Sequence, residues 1–351
     1  MKYGKITYFL FAGFVLFAGM NLTGCKTAEE KTEIVLTTDF KEDEVFRINT
    51  ESCMLPEIMV YMRTSQDQYE AVFGSEIWEK NLGGRTLEQQ LKDTILARLA
   101  QIKVMNLLAE NYHVTLSEEE NDRIGKAAEE YMAGLKPEEI SSMGVNREII
   151  EQLYREYAIA NKVYSEITKD VNPEISDDEA RTISVKHILL KTYSLGENGE
   201  KIEYTENRKK LVYDKMQEIE KKLNDGEDFD ALVEEYNEDE QAVHTFGKGT
   251  MPEAFEEAAF NLDTDQISEI VETEYGYHII KCISTFDREE TDANKVKIVE
   301  QRKNEAFNQV YGDFVKGLYS NLNRKLWESV SFEENPDCTT TNFFDIYNSY
   351  F

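Results

Sequence analysis

The chain has 351 residues, room for two or three domains, and 41% of them are hydrophobic, enough to fill real cores. It carries 69 acidic against 39 basic residues, a net charge of −30, and such a field repels phosphate backbones and argues against a nucleic-acid partner. The four cysteines, Cys25, Cys53, Cys282 and Cys338, form no CxxC or His–Cys cluster, so no zinc site is indicated, and one bridge plus a free thiol stays open.

Lys2 and Lys5 precede an almost wholly apolar run, Ile6 to Met20, short for a membrane span and typical of the core of a signal peptide. The run ends in Leu22-Thr23-Gly24-Cys25, and the chain turns polar immediately afterwards. This order of features resembles that of a bacterial lipoprotein, and the tetrapeptide resembles the lipobox. The resemblance implies that residues 1–24 are a cleaved signal peptide and that Cys25 carries lipid. Two acyl chains, at about 0.8 kcal/mol per buried methylene, suffice for stable anchoring. The expected workplace is the outer face of the cytoplasmic membrane, where ATP-driven chemistry is not expected.

Residues 25–44 read as an acidic, threonine-rich tether. Helical periodicity then dominates. Leu91, Ile95, Leu99, Ile102, Met105 and Ala109 recur at spacings of three and four, one face of a helix. Thr86 with Gln89 forms a capping pair at its start, and Ser117-Glu118-Glu119-Glu120 opens the next helix. A further helix is predicted from about Asn146 to Lys169, with Ile149, Leu153, Ala160, Val163 and Ile167 facing inward, and Pro173 marks its end. Met54, Met59 and Met62 read as core residues before they read as a soft client surface. Ser176 with Glu179 opens a short helix leading into a strand.

From residue 183 to 286 strands, helices and loops alternate. Two strand-like stretches bracket this segment: Val185-Lys186-His187-Ile188-Leu189-Leu190-Lys191 and Tyr275-Gly276-Tyr277-His278-Ile279-Ile280-Lys281. Strand period puts Val185, His187 and Leu189 on one face, and His278, Ile280 and Cys282 on one face. Leu195 to Tyr204 looks like a surface loop insertion, and a helix is predicted at about Glu206 to Asn224. After Phe286 the pattern is helical again: Ala306, Val310, Phe314, Leu318, Leu322 and Leu326 suggest one long helix whose apolar stripe needs a partner. Thr339 to Phe351 is aromatic and polar and receives no assignment.

Between the two strands lie Asp228 to Asp239, Phe246-Gly247-Lys248-Gly249-Thr250-Met251-Pro252-Glu253-Ala254-Phe255, and Ile267 to Thr273. The combination and its order resemble the parvulin (PpiC) family of peptidyl-prolyl isomerases. The helical segments around it are similar to those of PrsA-type and SurA-type extracytoplasmic foldases. The implied fold class is α+β: a parvulin-like domain over 181–287, with a small, mostly antiparallel sheet, inserted in a discontinuous all-helical chaperone domain made of 45–180 and 288–351.

The resemblance also implies roles. His187 and His278 would hydrogen-bond across the sheet floor, and Asp239 stands where the family has a cysteine or aspartate beside the imide, giving a catalytic set of His187, Asp239 and His278. Met251 and Phe255, with Phe246 nearby, would form the apolar proline pocket. Thr273 would support the histidine pair, and Tyr275 falls where some members have serine. The chain departs from the family before Phe246, where Asp239 to Thr245 is several residues shorter than a Gly-Gly-Asp-Leu-Gly-like stretch. His244 and His113 match no motif and read as loop residues. Cys282, sharing a face with His278, reads as a small core residue because no nucleophile elbow or orienting third group accompanies it.

The residue types suit the reaction. An X-Pro bond faces a barrier of about 18–20 kcal/mol and isomerises in roughly 10–100 s unaided. No bond breaks, so no nucleophile, metal or cofactor is required; the site must bind the twisted imide better than the planar one. The expected partners are unfolded exported polypeptides containing X-Pro bonds, the membrane through the lipid, and a second copy of the chain as a homodimer. The alternative is a lipid-anchored holdase with a weak parvulin domain, which the shortened loop favours. A nutrient-binding lipoprotein would need two α/β lobes, which the helical pattern does not supply.

Overall fold

The computed structural model describes residues 40–196, 198–332, 340 and 342–351. The expected signal peptide, the lipidation site Cys25, most of the tether and Cys338 lie outside the described residues. The chain divides into two compact units, one running to Asp170 and resuming with Ala306–Phe351, the other Val171–Glu305. The mixed α/β unit is thus inserted in the sequence of the helical one.

The helical unit opens with strands β1 (Glu44–Ile48) and β2 (Glu51–Met54), then helix α1 (Leu55–Phe73), a 3-10 turn and the short pair β3 (Asn81–Leu82) and β4 (Arg85–Thr86). Helices α2 (Leu87–Leu108), α3 (Glu118–Gly134), α4 (Pro137–Met143) and α5 (Arg147–Thr168) follow. The capping residues do what their spacing suggests. Thr86 Oγ1 accepts from Gln89 N while Gln89 Oε1 accepts from Thr86 N, and Ser117 and Glu120 reciprocate in the same way. Ile95, Leu99, Ile102 and Met105 of α2 and Ile150, Leu153, Tyr154 and Val163 of α5 are buried in one core, with Met62 beside them. Inside it, Lys103 Nζ donates to Glu57 Oε2 at 2.6 Å and to Glu156 Oε1 at 2.7 Å. Burial alone would lower the Lys103 pKa, but the two carboxylates outweigh it and hold the ammonium above its usual value.

The inserted unit begins with α6 (Asp177–Ala180), capped by Ser176. Then come β5 (Thr182–Lys191), the hairpin β6 (Tyr193–Leu195) and β7 (Lys201–Glu203), α7 (Glu206–Asn224), α8 (Phe229–Tyr236), β8 (Val243–Gly247), α9 (Glu253–Phe260), β9 (Val271–Thr273) and β10 (Gly276–Ser284). The expected surface loop is therefore a hairpin. The main sheet runs β8-β5-β10-β9, each neighbouring pair antiparallel. Period-two alternation divides it cleanly. Ile183, Val185, Ile280 and Cys282 pack with Phe246, Phe255, Ala259 and Leu262 on one face. Ile188, Leu190, Tyr277 and Ile279 pack with Met216, Ile219, Phe229 and Leu232 on the other. Gly276 permits the sheet edge to close: its φ is +143°, and a Cβ there would lie 2.1 Å from the Leu190 carbonyl oxygen.

The C-terminal segment corrects one expectation. Helix α10 (Arg288–Val315) stops before the stripe ends. Leu318 lies in a turn, Leu322 ends strand β11 (Ser320–Leu322), and Leu326 sits in α11 (Arg324–Ser329). Gly317 disfavours helix by about 1 kcal/mol, and β1 offers β11 a backbone ladder, with Phe46 opposite Leu322. The helical unit therefore also holds a three-stranded sheet, β11-β1-β2, and Glu44, placed at the end of the tether by sequence, already belongs to it with its side chain buried. The unassigned tail contains α12 (Phe343–Tyr350). Phe343 is fully buried, stacked 4.6 Å from Tyr154 and edge-on to Tyr131, and Tyr154 donates its hydroxyl hydrogen to the Phe343 carbonyl.

Candidate active site

Register brings the two histidines together. In the β5–β10 ladder Ile280 lies opposite His187 and His278 opposite Leu189, so the two imidazoles are diagonal neighbours on one sheet face. Both are buried, with Nδ1 to Nδ1 at 3.2 Å. Thr273, at the end of β9, lies 2.8 Å through Oγ1 from His278 Nε2 and also accepts from Tyr275 N.

Asp239 arrives by a different route. The segment leaving α8 runs along β5 as an irregular extension of β8. Asn237 Oδ1 accepts from Leu189 N, Glu238 N donates to Leu189 O, and His187 N donates to Ala242 O. Asn237 Oδ1 also accepts from Asp239 N, an Asx turn that aims the next carboxylate inward. Asp239 Oδ2 ends 3.2 Å from His187 Nε2, and Gln241 O lies 3.3 Å from the same nitrogen.

These partners fix the protons. A carboxylate and a carbonyl both only accept, so His187 Nε2 carries the hydrogen and its Nδ1 accepts. His278 must then donate from Nδ1 and accept at Nε2, which the Thr273 hydroxyl satisfies. The result is one directed chain from Tyr275 N through Thr273, His278 and His187 to Asp239. Burial pushes His187 below the usual imidazole value, helped by neighbouring His244, and pushes His278 down to about 3. Burial alone would raise Asp239, but the Gln241 N–H, together with His187 and His244, outweighs it and holds the carboxyl below its usual value. The site is therefore two neutral imidazoles ending on a carboxylate.

Phe255, from α9, forms the apolar side. Its ring meets His187 edge-on at 5.5 Å and His278 at 5.2 Å. Phe246 lies 6.0 Å from Phe255, and half-buried Met251 packs on the same cluster. Tyr275 takes part through its backbone alone among the contacts seen; its side chain is exposed, with Lys201 Nζ 5.7 Å from the ring centroid. Cys282 is buried in the apolar face, and burial raises its thiol pKa, as befits a core residue. His113 lies in a turn of the helical unit with φ +54°.

His244 is the residue the sequence reading missed. It stands in β8, not in a loop, opposite Val185, with its ring 4.9 Å from His187 and its Nε2 3.6 Å from Asp239 Oδ2. The alternation Val243-His244-Thr245-Phe246 was the available signal, because it places His244 on the same face as Phe246, which packs near Phe255.

Comparison with known proteins finds relatives of this sequence. Residues 187–284 match the PPIC-type PPIase (rotamase) domain family. The chain is 28% identical over 326 residues to the foldase protein PrsA of Caldanaerobacter subterraneus subsp. tengcongensis, covering 89% of this chain and 94% of that one. It is 30% identical over 223 residues to the PrsA of Oceanobacillus iheyensis, covering 60% and 67%. A crystal structure of the peptidylprolyl isomerase PrsA from Bacillus cereus aligns with a TM-score of 0.38 at 26% identity, over 74% of this chain and 90% of that one. With a parvulin-type isomerase domain set in a foldase sequence that aligns nearly end to end with a curated relative, the chain belongs to the PrsA foldase family.

Proposed function

We propose that the isomerase chemistry of this foldase is carried by the His187–His278–Asp239 network above the Phe255 ring. The supporting observation is the directed hydrogen-bond chain, which holds a carboxylate at the end of a buried, neutral imidazole pair. A proline ring packs on Met251 and Phe255 with Phe246 behind, and the preceding carbonyl lies toward Asp239. In the planar imide, resonance places negative charge on that oxygen; twisting removes part of it. A carboxylate nearby therefore raises the ground state more than the twisted state, and a partly dry pocket strips the water that favours the planar form. Thr273 positions His278 through its hydroxyl.

The substrates are exported polypeptides with X-Pro bonds, held as clients by the helical unit. Anchoring through lipid on Cys25 to the outer face of the cytoplasmic membrane, and pairing as a homodimer, complete this reading; radiolabelled palmitate incorporation lost in Cys25→Ser and sedimentation of the full chain test them. The catalytic reading is tested by isomerisation of a proline peptide with the full chain. Asp239→Ala and His187→Ala should each lower kcat/KM by about 10²-fold; rates equal to the parent chain would overturn the assignment. The holdase alternative draws on the short segment between Asp239 and β8, whose Gln241 closes over both His187 and Asp239. It predicts that the same variants still suppress client aggregation while the parent chain turns over proline peptides barely above background.

A further inference from the structure

We propose that His187, Asp239 and His244 form a binding site for a divalent transition metal, Zn²⁺ being the probe of choice, and that the metal switches the isomerase off. The binding claim stands on the donor geometry; the inhibition claim rests on the catalytic reading above.

His187 Nε2 lies 3.2 Å and His244 Nε2 3.6 Å from Asp239 Oδ2, and the three side chains offer one donor atom each within 4.8 Å of one another. Ligands held tetrahedrally at about 2.0–2.1 Å from zinc are separated by roughly 3.3–3.4 Å. Two edges of the triangle already approach that length, and closing the third needs a small turn of His244. The two rings stand at 86° to each other, edge to face, as two imidazoles aimed at one point can.

The donors are also held in place. His187 and His244 stand on paired strands, with Val185 opposite His244. His187 is fixed behind by His278, and Gln241 N donates to Asp239 Oδ1. Such supporting bonds orient metal ligands. Access comes from one side: the His187 side chain is 3% exposed, but His244 is 20% and Asp239 32%. Water reaching the exposed side of His244 and Asp239 would supply the fourth ligand. Two imidazoles and one carboxylate suit zinc-like ions and not magnesium or calcium, which prefer oxygen.

The proton network accommodates the ion without net proton release from the histidine pair. A metal on His187 Nε2 needs its lone pair, so His187 moves its hydrogen to Nδ1. His278 then accepts at Nδ1 and carries its hydrogen on Nε2, donating to a turned Thr273 hydroxyl. The ion consumes both His187 Nε2 and the Asp239 carboxylate and reverses the sign of the field where the imide must rotate. Catalysis stops while the fold is kept.

The test is calorimetric titration of the untagged full chain with zinc chloride, beside His244→Ala, His244→Gln and the control His113→Ala, each checked by circular dichroism. The parent and His113→Ala should bind one ion at this site, and both His244 variants should weaken it at least about tenfold, equivalent to about 1.4 kcal/mol. Zinc should abolish proline-peptide turnover of the parent, and a chelator should restore it. No binding to the parent, or equal binding to a folded His244 variant, overturns the metal site. Binding lost with His244 while zinc leaves turnover untouched keeps the site and instead refutes the catalytic roles of His187 and Asp239.

Discussion

Replacing Thr273 with valine removes one hydroxyl and nearly preserves volume. That hydroxyl is 2.8 Å from His278 Nε2, and His278 is only 4% exposed, so water cannot readily replace it. Tyr275 N also loses an acceptor, but Tyr275 is exposed and can turn to solvent. The change therefore orphans one buried acceptor, at a cost of about 1–3 kcal/mol. A tautomer flip brings no relief, because His278 would then bury an unpaired donor and lose its bond to His187. Native-state hydrogen exchange of the β5 and β10 amides should show opening free energies lower by that amount, with α2 and α5 in the other unit unchanged. Nitrogen NMR of the parent chain should find the hydrogen on Nε2 of His187 and on Nδ1 of His278. Exchange unchanged in the variant, or a proton on His278 Nε2 in the parent, refutes the directed chain.

Acid should weaken the inserted unit before it touches the Asp239 carboxylate. His278 is held down to about 3 by burial, so between the unfolded imidazole value and that point the unfolded state binds the extra proton. Stability is full above about pH 6.5 and falls with pH, by about 2 kcal/mol at pH 5 from this group alone; a urea midpoint of the β5–β10 sheet that stays constant from pH 7 to 5 contradicts it. Phe343→Ala should cost the helical unit about 3–5 kcal/mol, since its ring is fully buried among Tyr154, Tyr131 and Tyr61. Tryptophan fluorescence melts, reporting Trp78 and Trp327 of that unit, would show no shift if α12 were dispensable. Gly276→Ala drives a methyl into the Leu190 carbonyl and should lower proline-peptide turnover together with β10 protection; normal exchange at His278 would show the sheet edge to be adaptable.

Much of the site was legible because strand alternation and helix capping are local. His187 and His278 could be placed on faces from period two alone, and Thr86, Ser117 and Ser176 announced helix starts by their spacing to Gln89, Glu120 and Glu179. The position of Asp239 was legible by family likeness only, since an Asx turn docked on a strand 48 residues earlier in the chain carries no short-range pattern. His244 was passed over because a lone histidine next to a shortened loop looks like solvent-facing chain until β8 is paired with β5.

The periodic apolar positions and capping pairs thus determined a helical protein with an α+β module, because those features depend on neighbours a few residues apart, and the motif order of residues 183–286 identified that module as an isomerase through its likeness to the parvulin family. Tertiary structure alone decided that the C-terminal stripe breaks at Gly317 so that Leu322 can join β1, that the aromatic tail seals the helical core, and that a third imidazole stands beside Asp239. Each of these depends on backbone ladders and packing between segments distant in the chain, where the energy gained by pairing outweighs the local preference that the sequence displays.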